Sequence, residues 1–245
     1  MSARTIVCLH WGTRYGPHYV NRLYYGIARH LAGKFNFICF TDNDTGIEPA
    51  IETREIDSLA LEPHMRCTVW LKLALLHPQA KLCGRCLFLD LDLVALNPLD
   101  ELFDYPGEFC IIHNWIERRK LIVRPRPDIG NSSVFRFEAG ARPDVVERYL
   151  ANPQEAQDGF PTEQAFLTAA VGEHKTYWPR TWIKSYKYHC RPIFPLNWVI
   201  SPRLPRKAKL LVFHGRPDID EAIAGFHAPW HKKFLPCPQL AKHWR

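Results

Sequence analysis

Seven residues, Leu87-Phe88-Leu89-Asp90-Leu91-Asp92-Leu93, constrain this chain more than any other stretch. Five of them are apolar, and so continuous an apolar run predicts a strand buried on both faces, as in the middle of a mainly parallel sheet. Two carboxylates one residue apart stand at its end. An ionised carboxylate at the edge of a core is costly unless a cation compensates it. Ligands of open α/β sheets sit beyond the carboxyl ends of the strands, which is where Asp90 and Asp92 belong. Two hard oxygen donors suit Mg²⁺ or Mn²⁺, with a ligand phosphate completing the shell. A capping or ion-pair role is the competing account of the pair.

The chain holds two more Asp-x-Asp patterns. Asp42-Asn43-Asp44 precedes Thr45-Gly46 and has turn chemistry. Its Gly is misplaced for a calcium loop and no Glu closes it. Asp218-Ile219-Asp220 follows Pro217, which predicts a solvated turn or helix start. Only the pair at 90 and 92 sits in an apolar strand, where solvation does not explain it.

With 245 residues, the chain is long enough for one large α/β domain with a substantial core. No run of about 18 apolar residues predicts a transmembrane helix. Met1-Ser2-Ala3-Arg4-Thr5 leads straight into a strand, so a cytoplasmic location is the expectation. Cys8, Cys39 and Cys110 lie in apolar strand-like runs and are expected to be buried thiols. Cys83 and Cys86 form a lone Cys-x-x-Cys with neither a second pair nor a well-spaced His to complete a zinc site.

The net charge of +7 is unevenly spread. From His174 to Pro217 there is no acidic residue, while Lys and Arg recur ten times from Lys175 to Arg216. A one-signed surface attracts nucleotide diphosphates, acidic lipid headgroups or nucleic acid, unless it is merely a soluble basic face. Trp178, Trp182 and Trp198 in the same stretch suit an interface with an anionic membrane.

Thr5–Leu9, a helix opened by Pro17, and Phe35–Phe40 form a βαβ unit, hence a right-handed parallel pair. Val20, Leu23, Tyr24, Ile27 and Leu31 mark the buried helix face, with Gly33 as its cap. The loop after the first strand offers Trp11 and Tyr15 for stacking on a base, Gly12 for close backbone approach and the Thr13 hydroxyl. It lacks the glycines and the Lys-Ser/Thr pair of a Walker loop or dinucleotide fingerprint. A weak strand near Ile51–Glu55 precedes an expected helix from Met65 to His77, stopped by Pro78. Within it Lys72 stands among apolar neighbours, either snorkelling or reaching an anion. Further on, the pattern predicts a short helix at Pro98–Phe103 and strands at Phe109–His113 and Gly130–Phe137. Helices follow at Asp144–Ala151 and from Pro161, and a last strand at Leu210–Gly215 delivers His214 to an edge.

These residues together resemble the nucleotide-sugar glycosyltransferases of the GT-A fold, most of all the glycogenin-like family 8 enzymes. Phe88-Leu89-Asp90-Leu91-Asp92 is similar to the family's metal-binding Asp-x-Asp strand. Lys72 resembles its Lys facing the donor phosphates, and Asn131-Ser132-Ser133 its Asn-Ser-Gly segment. Asp158-Gly159 and Glu163-Gln164 resemble its Asp-Gly and Asp-Gln, and His214-Gly215 its metal-shell His and following Gly. The chain departs from the pattern with Glu at 163, Ser at 133, and Arg216 where a Lys-Pro is expected further on.

The resemblance implies a single domain over 1–245, with a mixed, mainly parallel central sheet flanked by helices. A Rossmann-like nucleotide-binding half would cover about 1–95, an acceptor and sugar half about 96–217, and a basic segment about 218–245. It implies metal-dependent transfer of a sugar from a nucleotide-diphosphate donor, UDP above all, to a carbohydrate, lipid-linked or protein acceptor, with retention. Mn²⁺ or Mg²⁺ would sit on Asp90, Asp92 and His214. Donor contacts would come from Leu9, Trp11, Gly12, Thr13, Tyr15, Lys72, Leu91, Asn131, Ser132, Gly215 and Arg216. Asp158, Glu163 and Gln164 would stand near the anomeric carbon. A nucleotidyltransferase would also use paired Asp and a metal, but usually with a Gly-rich phosphate loop. A nucleic-acid binder would explain the basic stretch but not carboxylates ending a buried strand.

Overall fold

The computed structural model describes residues 3–59, 62–66, 68–115, 128–227 and 232–245. Met1-Ser2 and residues 228–231 of the basic C-terminal segment lie outside them. Strand β1 (Arg4–His10) leads through a loop to helix α1 (Pro17–His30), which begins on its proline. Val20, Leu23 and Ile27 bury one helix face. The helix closes on Leu31, whose N–H donates to Ile27 O at 2.8 Å. Gly33 makes the following turn at φ +78° rather than the cap itself. Strands β2 (Asn36–Thr41) and β3 (Glu52–Glu55) then add in parallel beside β1.

The helix expected over Met65–His77 is a single turn, α2 (Leu71–Ala74), between 3₁₀ turns at Pro63–Met65 and Pro78–Ala80; residue 67 lies outside the described residues. Thr68 Oγ1 donates back to Met65 O at 2.8 Å, the local bonding by which Thr competes with helix. The apolar run over 87–93 is likewise broken. Strand β4 (Arg85–Leu89) ends before Asp90, and β5 (Leu93–Ala95) belongs to a different sheet. The Asp90 N–H still donates to Ser133 O at 2.9 Å, in line with the β4–β7 ladder, whereas the Asp92 carbonyl accepts from Phe213 N–H at 2.8 Å, so between the two the chain passes from one sheet to the other.

Helix α3 (Asp100–Asp104) and strands β6 (Phe109–His113) and β7 (Gly130–Glu138) follow as expected. Helices α4 (Pro143–Ala151) and α6 (Glu163–Val171) flank an unforeseen α5 (Pro153–Gly159). Strands β8 (Lys175–Tyr177) and β9 (Ile183–Ser185) and helix α7 (Tyr186–His189) occupy the Trp- and Tyr-rich stretch. Strand β10 (Leu210–Val212) and helix α8 (Ile219–Ala224) complete the order. Asp218 caps α8 reciprocally with Glu221, and Asn43 Oδ1 accepts from Thr45 N–H in a turn, so both spare Asp-x-Asp patterns serve local structure.

Among the described residues the main sheet has seven strands in the order β3-β2-β1-β4-β7-β6-β8. All run the same way except β7, which is antiparallel to both neighbours. A smaller sheet sets β10 between β5 and β9. The central strands are buried on both faces, while the edge strands β3 and β8 are not. Ile6, Cys8, Leu87 and Leu89 face the layer of α1 and the small sheet. Val7, Leu9, Cys86 and Phe88 face that of α2, α4 and α6. Cys39 and Cys110 are buried too. Arg136, 1% exposed on β7, donates to the carbonyls of Phe103 (2.7 Å), Tyr105 (2.5 Å) and Gly107, which ties the end of α3 to the sheet.

The acid-free stretch is less one-sided in space than in sequence. Lys175 pairs with Asp128 at 3.0 Å, Lys209 with Glu101, and Arg216 with Glu221. No helix among the described residues is long and apolar enough to cross a membrane.

Candidate active site

The strand order reverses between β1 and β4, because the chain lays β2 and β3 on one side of β1 and β4 on the other. Such a switch point leaves a crevice at the strands' carboxyl ends. A groove of about 270 Å³ opens there. Leu9, Trp11, Arg14 and Tyr15 line it from the end of β1; Asp90, Leu91 and Asp92 from the end of β4; Val69 and Lys72 from the α2 turn.

Charge dominates this groove. The Lys72 ammonium is buried, 2.8 Å from Asp90 Oδ1, above the Phe88 ring. Burial alone would lower its pKa, but Asp90, Glu163 and Asp92 outweigh burial and the net shift is upward, so the amine stays charged. Asp92 is in the opposite situation. Burial, then the neighbouring Asp90 charge, push its carboxyl up to about 7, against the opposing pull of the Tyr15 hydroxyl and Lys72. Tyr15 donates its O–H to Asp92 Oδ2 at 3.1 Å. Burial and the Asp92 charge raise the phenol's pKa, so that proton stays in place. The Tyr15 ring packs on Tyr19 at 4.6 Å, and His10 holds the Tyr15 carbonyl at 2.9 Å. Tyr15 is thus a fixed support for Asp92, and Trp11, half-buried in the wall, offers the freer ring. Gly12, at φ +67°, donates its N–H to Asp42 Oδ2 at 3.0 Å and pins the loop. Thr13 is exposed and does not line the groove.

A second pocket of about 390 Å³ shares Val69 and Lys72 with the first. Asn131, Ser132 and Ser133 enter it because β7 runs antiparallel, which places its first residues at the edge where its neighbours end. Glu163 and Gln164, opening α6, form the opposite wall. Buried Glu163 accepts a short bond from Ser132 Oγ. A Cβ at Gly130 would lie 2.5 Å from Ile111 Cδ1, so a larger residue at the strand start needs the end of the Ile111 side chain to shift. Asp158 lies outside this lining, exposed on α5 and bonded by Gln154 at 3.0 Å.

His214 follows β10 and lines the same pocket with Trp115 and Tyr188. Its ring stacks on Trp115 at 5.7 Å, and Nε2 lies 2.6 Å from Ser185 Oγ. Burial, then Lys187 and His189, lower its pKa to about 4, so the imidazole is neutral near neutrality. The bond from Phe213 N–H to the Asp92 carbonyl brings the His214 and Asp92 backbones together. The side chains do not follow: no three His, Cys, Asp or Glu groups among the described residues are arranged to hold a metal. The residue types nonetheless fit a divalent cation. Two carboxylates and a neutral imidazole are a donor set for Mn²⁺ or Mg²⁺ with phosphate oxygens added, and the raised Asp92 pKa shows that its negative charge is under-compensated. Gly215 turns the chain at φ +73°. Arg216, expected at the phosphates, has its side chain 70% exposed and paired with Glu221.

Sequence reasoning missed Arg14, whose guanidinium lies over the Tyr15 ring at 5.1 Å in the wall of the first groove. Its place in the loop after β1 was the available signal. Val69, Ser185 and Tyr188 carried none.

No family profile and no curated protein sequence matches the chain. Solved structures do. The galactosyltransferase LgtC in complex with donor and acceptor sugar analogs is similar at 12% identity and TM-score 0.59, over 97% of this chain and 94% of that one. The bifunctional glycosyltransferase WbbM, without ligand, is similar at 15% identity and TM-score 0.58, over 89% of this chain and 47% of its own. The glycosyltransferase GlyE of Streptococcus pneumoniae TIGR4 is similar at 10% identity and TM-score 0.57, over 88% of this chain and 56% of its own.

Proposed function

We propose that this chain, which has the GT-A glycosyltransferase fold, is a metal-dependent glycosyltransferase that takes a sugar from a UDP-sugar and delivers it, with retention, to a carbohydrate-bearing acceptor. The observation that carries this reading is the pair Asp90 and Asp92 at the switch point, with Lys72 and Arg14 in the same groove. A nucleotide-diphosphate donor leaves as a diphosphate, whose growing negative charge must be met. Asp90, Asp92 and His214 would hold a divalent cation, which supplies Lewis-acid neutralisation of that leaving group. Lys72 and Arg14 add charge-assisted contacts to the phosphates. Trp11 stacks on the base, and Tyr15 fixes Asp92. Glu163 and Gln164 stand at the sugar end, where carboxylate and amide oxygens stabilise the cationic character of the reacting sugar. The fold shared with LgtC, whose structure holds donor and acceptor sugar analogs, supports this assignment.

A nucleotide-sugar panel, scored for slow hydrolysis without acceptor, tests it. UDP-sugars are expected to turn over with Mn²⁺ and to stop with chelator, and the anomeric form of the released sugar reports retention. No turnover of any nucleotide sugar with any divalent cation refutes it.

A membrane-bound acceptor is the second part of the reading. Ile193 (70% exposed), Val199 (76%) and Trp198 (47%) form an apolar run on the surface of the acid-free stretch. Arg203 N–H bonds Cys190 O, and Asn197 Nδ2 donates to Lys233 O, so the backbones of two cationic residues are held next to the run. An apolar knob with a basic rim suits an anionic bilayer.

A further inference from the structure

A smaller cavity, of about 130 Å³, lies beside the sugar pocket and shares its Trp115 wall. It opens between the ends of β6 and β8 and the start of β9. His113, Trp178, Arg180, Lys184 and His189 give it its polar character, and none of its lining residues among those described is acidic. Guanidinium, ammonium and indole N–H groups donate hydrogen bonds and cannot accept them. Trp178 is 3% exposed, and its Nε1 has no hydrogen-bond partner among the described residues. A buried N–H in that condition marks a missing acceptor. Asp128, the carboxylate tied to the adjoining Tyr177, is already engaged by Lys175 at 3.0 Å and by the Tyr177 hydroxyl at 2.8 Å. The Arg180 Nη2 lies 3.4 Å from His113 Nδ1, which places the guanidinium beside the end of β6.

We infer that this cavity is a subsite for an anionic group, carboxylate or phosphate, carried by the acceptor. The inference rests on the glycosyl-transfer reading and names the acceptor's chemical class. Its volume decides what enters. Pockets for whole drug-sized ligands run to roughly 300–1,000 Å³, so this one takes a charged substituent rather than the body of an oligosaccharide. With the anion on Arg180 and the Trp178 N–H, the rest of the acceptor passes Trp115 and reaches the pocket of Asn131, Glu163 and Gln164. The acceptor is therefore an acidic glycan or a phosphate-bearing saccharide, held by its charge while a hydroxyl is presented to the donor sugar.

Calorimetric titration tests this. UDP is titrated first. Methyl phosphate, methyl glucuronide and neutral methyl glucoside are then titrated separately into the UDP-saturated protein, or into the free protein if UDP does not bind. The same titrations are made with Arg180→Ala and Trp178→Phe, each confirmed folded by its thermal melt. At least one anion should bind and the glucoside should not, and the preferred anion tells a carboxylate source from a phosphate source. Arg180→Ala should weaken anion binding about tenfold, the scale of one charged hydrogen bond. Trp178→Phe, which removes the N–H and keeps the ring, should weaken it several-fold. Three results overturn the subsite: no anion binding, glucoside binding as tight as the anions, or affinities equal in wild type and both variants. UDP binding is read in the same experiment, so an empty subsite with UDP bound leaves the donor reading intact. Anion binding without UDP binding refutes the donor reading alone.

Discussion

Replacing Asp92 by Asn should stabilise the metal-free protein while it removes donor turnover. In the folded state the Asp92 carboxyl is pushed from its ordinary 3.8 up to about 7, by burial and then by Asp90. A group whose folded pKa is raised binds more protons in the native state than in the unfolded chain. Its cost to stability therefore accrues as pH rises from about 4 to about 7 and is complete above that window. The full difference corresponds to about 4 kcal/mol. Asp92 keeps partial access to solvent, and screening brings the expected effect to about 2–3 kcal/mol. Asn at 92 carries no charge and still accepts the Tyr15 O–H bond. Urea unfolding with chelator present is the assay. At pH 8 the Asp92→Asn protein should be more stable than wild type by about 2–3 kcal/mol; at pH 4 the two should match. Turnover of UDP-sugar by the variant should be lost at both manganese-limiting and saturating concentrations. A variant less stable than wild type at pH 8, or a stability difference between the two that does not grow from pH 4 to pH 8, would refute the electrostatic account. Near-normal metal-dependent turnover by the variant would refute the site.

Trp11→Ala should weaken UDP binding by about 1–2 kcal/mol, the scale of stacking on a base; unchanged affinity in a fluorescence titration would place the base elsewhere. Lys72→Met removes the cation 2.8 Å from Asp90. Because Asp90 keeps a quarter of its side-chain exposure, the loss should be about 2–3 kcal/mol rather than the roughly 3–5 of a fully buried pair, read as a lowered urea midpoint. Co-sedimentation with anionic vesicles should fall steeply as salt is raised and fall again in Trp198→Ala; absent or salt-insensitive binding would remove the membrane from the acceptor assignment.

The sequence made the ligand edge legible because two different periodicities met there. An apolar run ending in carboxylates located Asp90 and Asp92, and the βαβ pattern put Trp11 and Tyr15 at the same end of the sheet. Lys72 was legible as an anomaly, a cation among apolar neighbours, and the structure gives it Asp90. What stayed hidden was set by distant partners. The passage from one sheet to the other at Asp92 depends on Phe213, which no local pattern reveals. The rotamer of His214 depends on Ser185 and Trp115. The role of Tyr15 as a support for Asp92 needs a contact across 77 positions of sequence. Three of the ten cations from Lys175 to Arg216, namely Lys175, Lys209 and Arg216, find partners outside the stretch in Asp128, Glu101 and Glu221, which no local pattern shows. The short strands β8 and β9 carry too little alternation to be seen among Trp, Tyr and Pro.

The antiparallel β7 has a consequence for how this protein is made. Until β7 is available, β4 is an outer strand with its hydrogen-bonding side bare, and β5 lacks the β10 that covers it. A nascent chain that has just completed β4 at Leu89 must add residues through Glu138 before β7 is whole. At ~5–20 residues per second that interval lasts about 2–10 seconds. During it the apolar Cys86–Leu89 edge can pair with a neighbouring chain. Asp90 cannot take its place either, since the Ser133 carbonyl that anchors its N–H has yet to be synthesised. A protein cut after residue 95 would remain in that condition permanently, so residues 1–95 are not a separable part: crowded synthesis, low temperature and chaperone supply should govern the yield of folded protein.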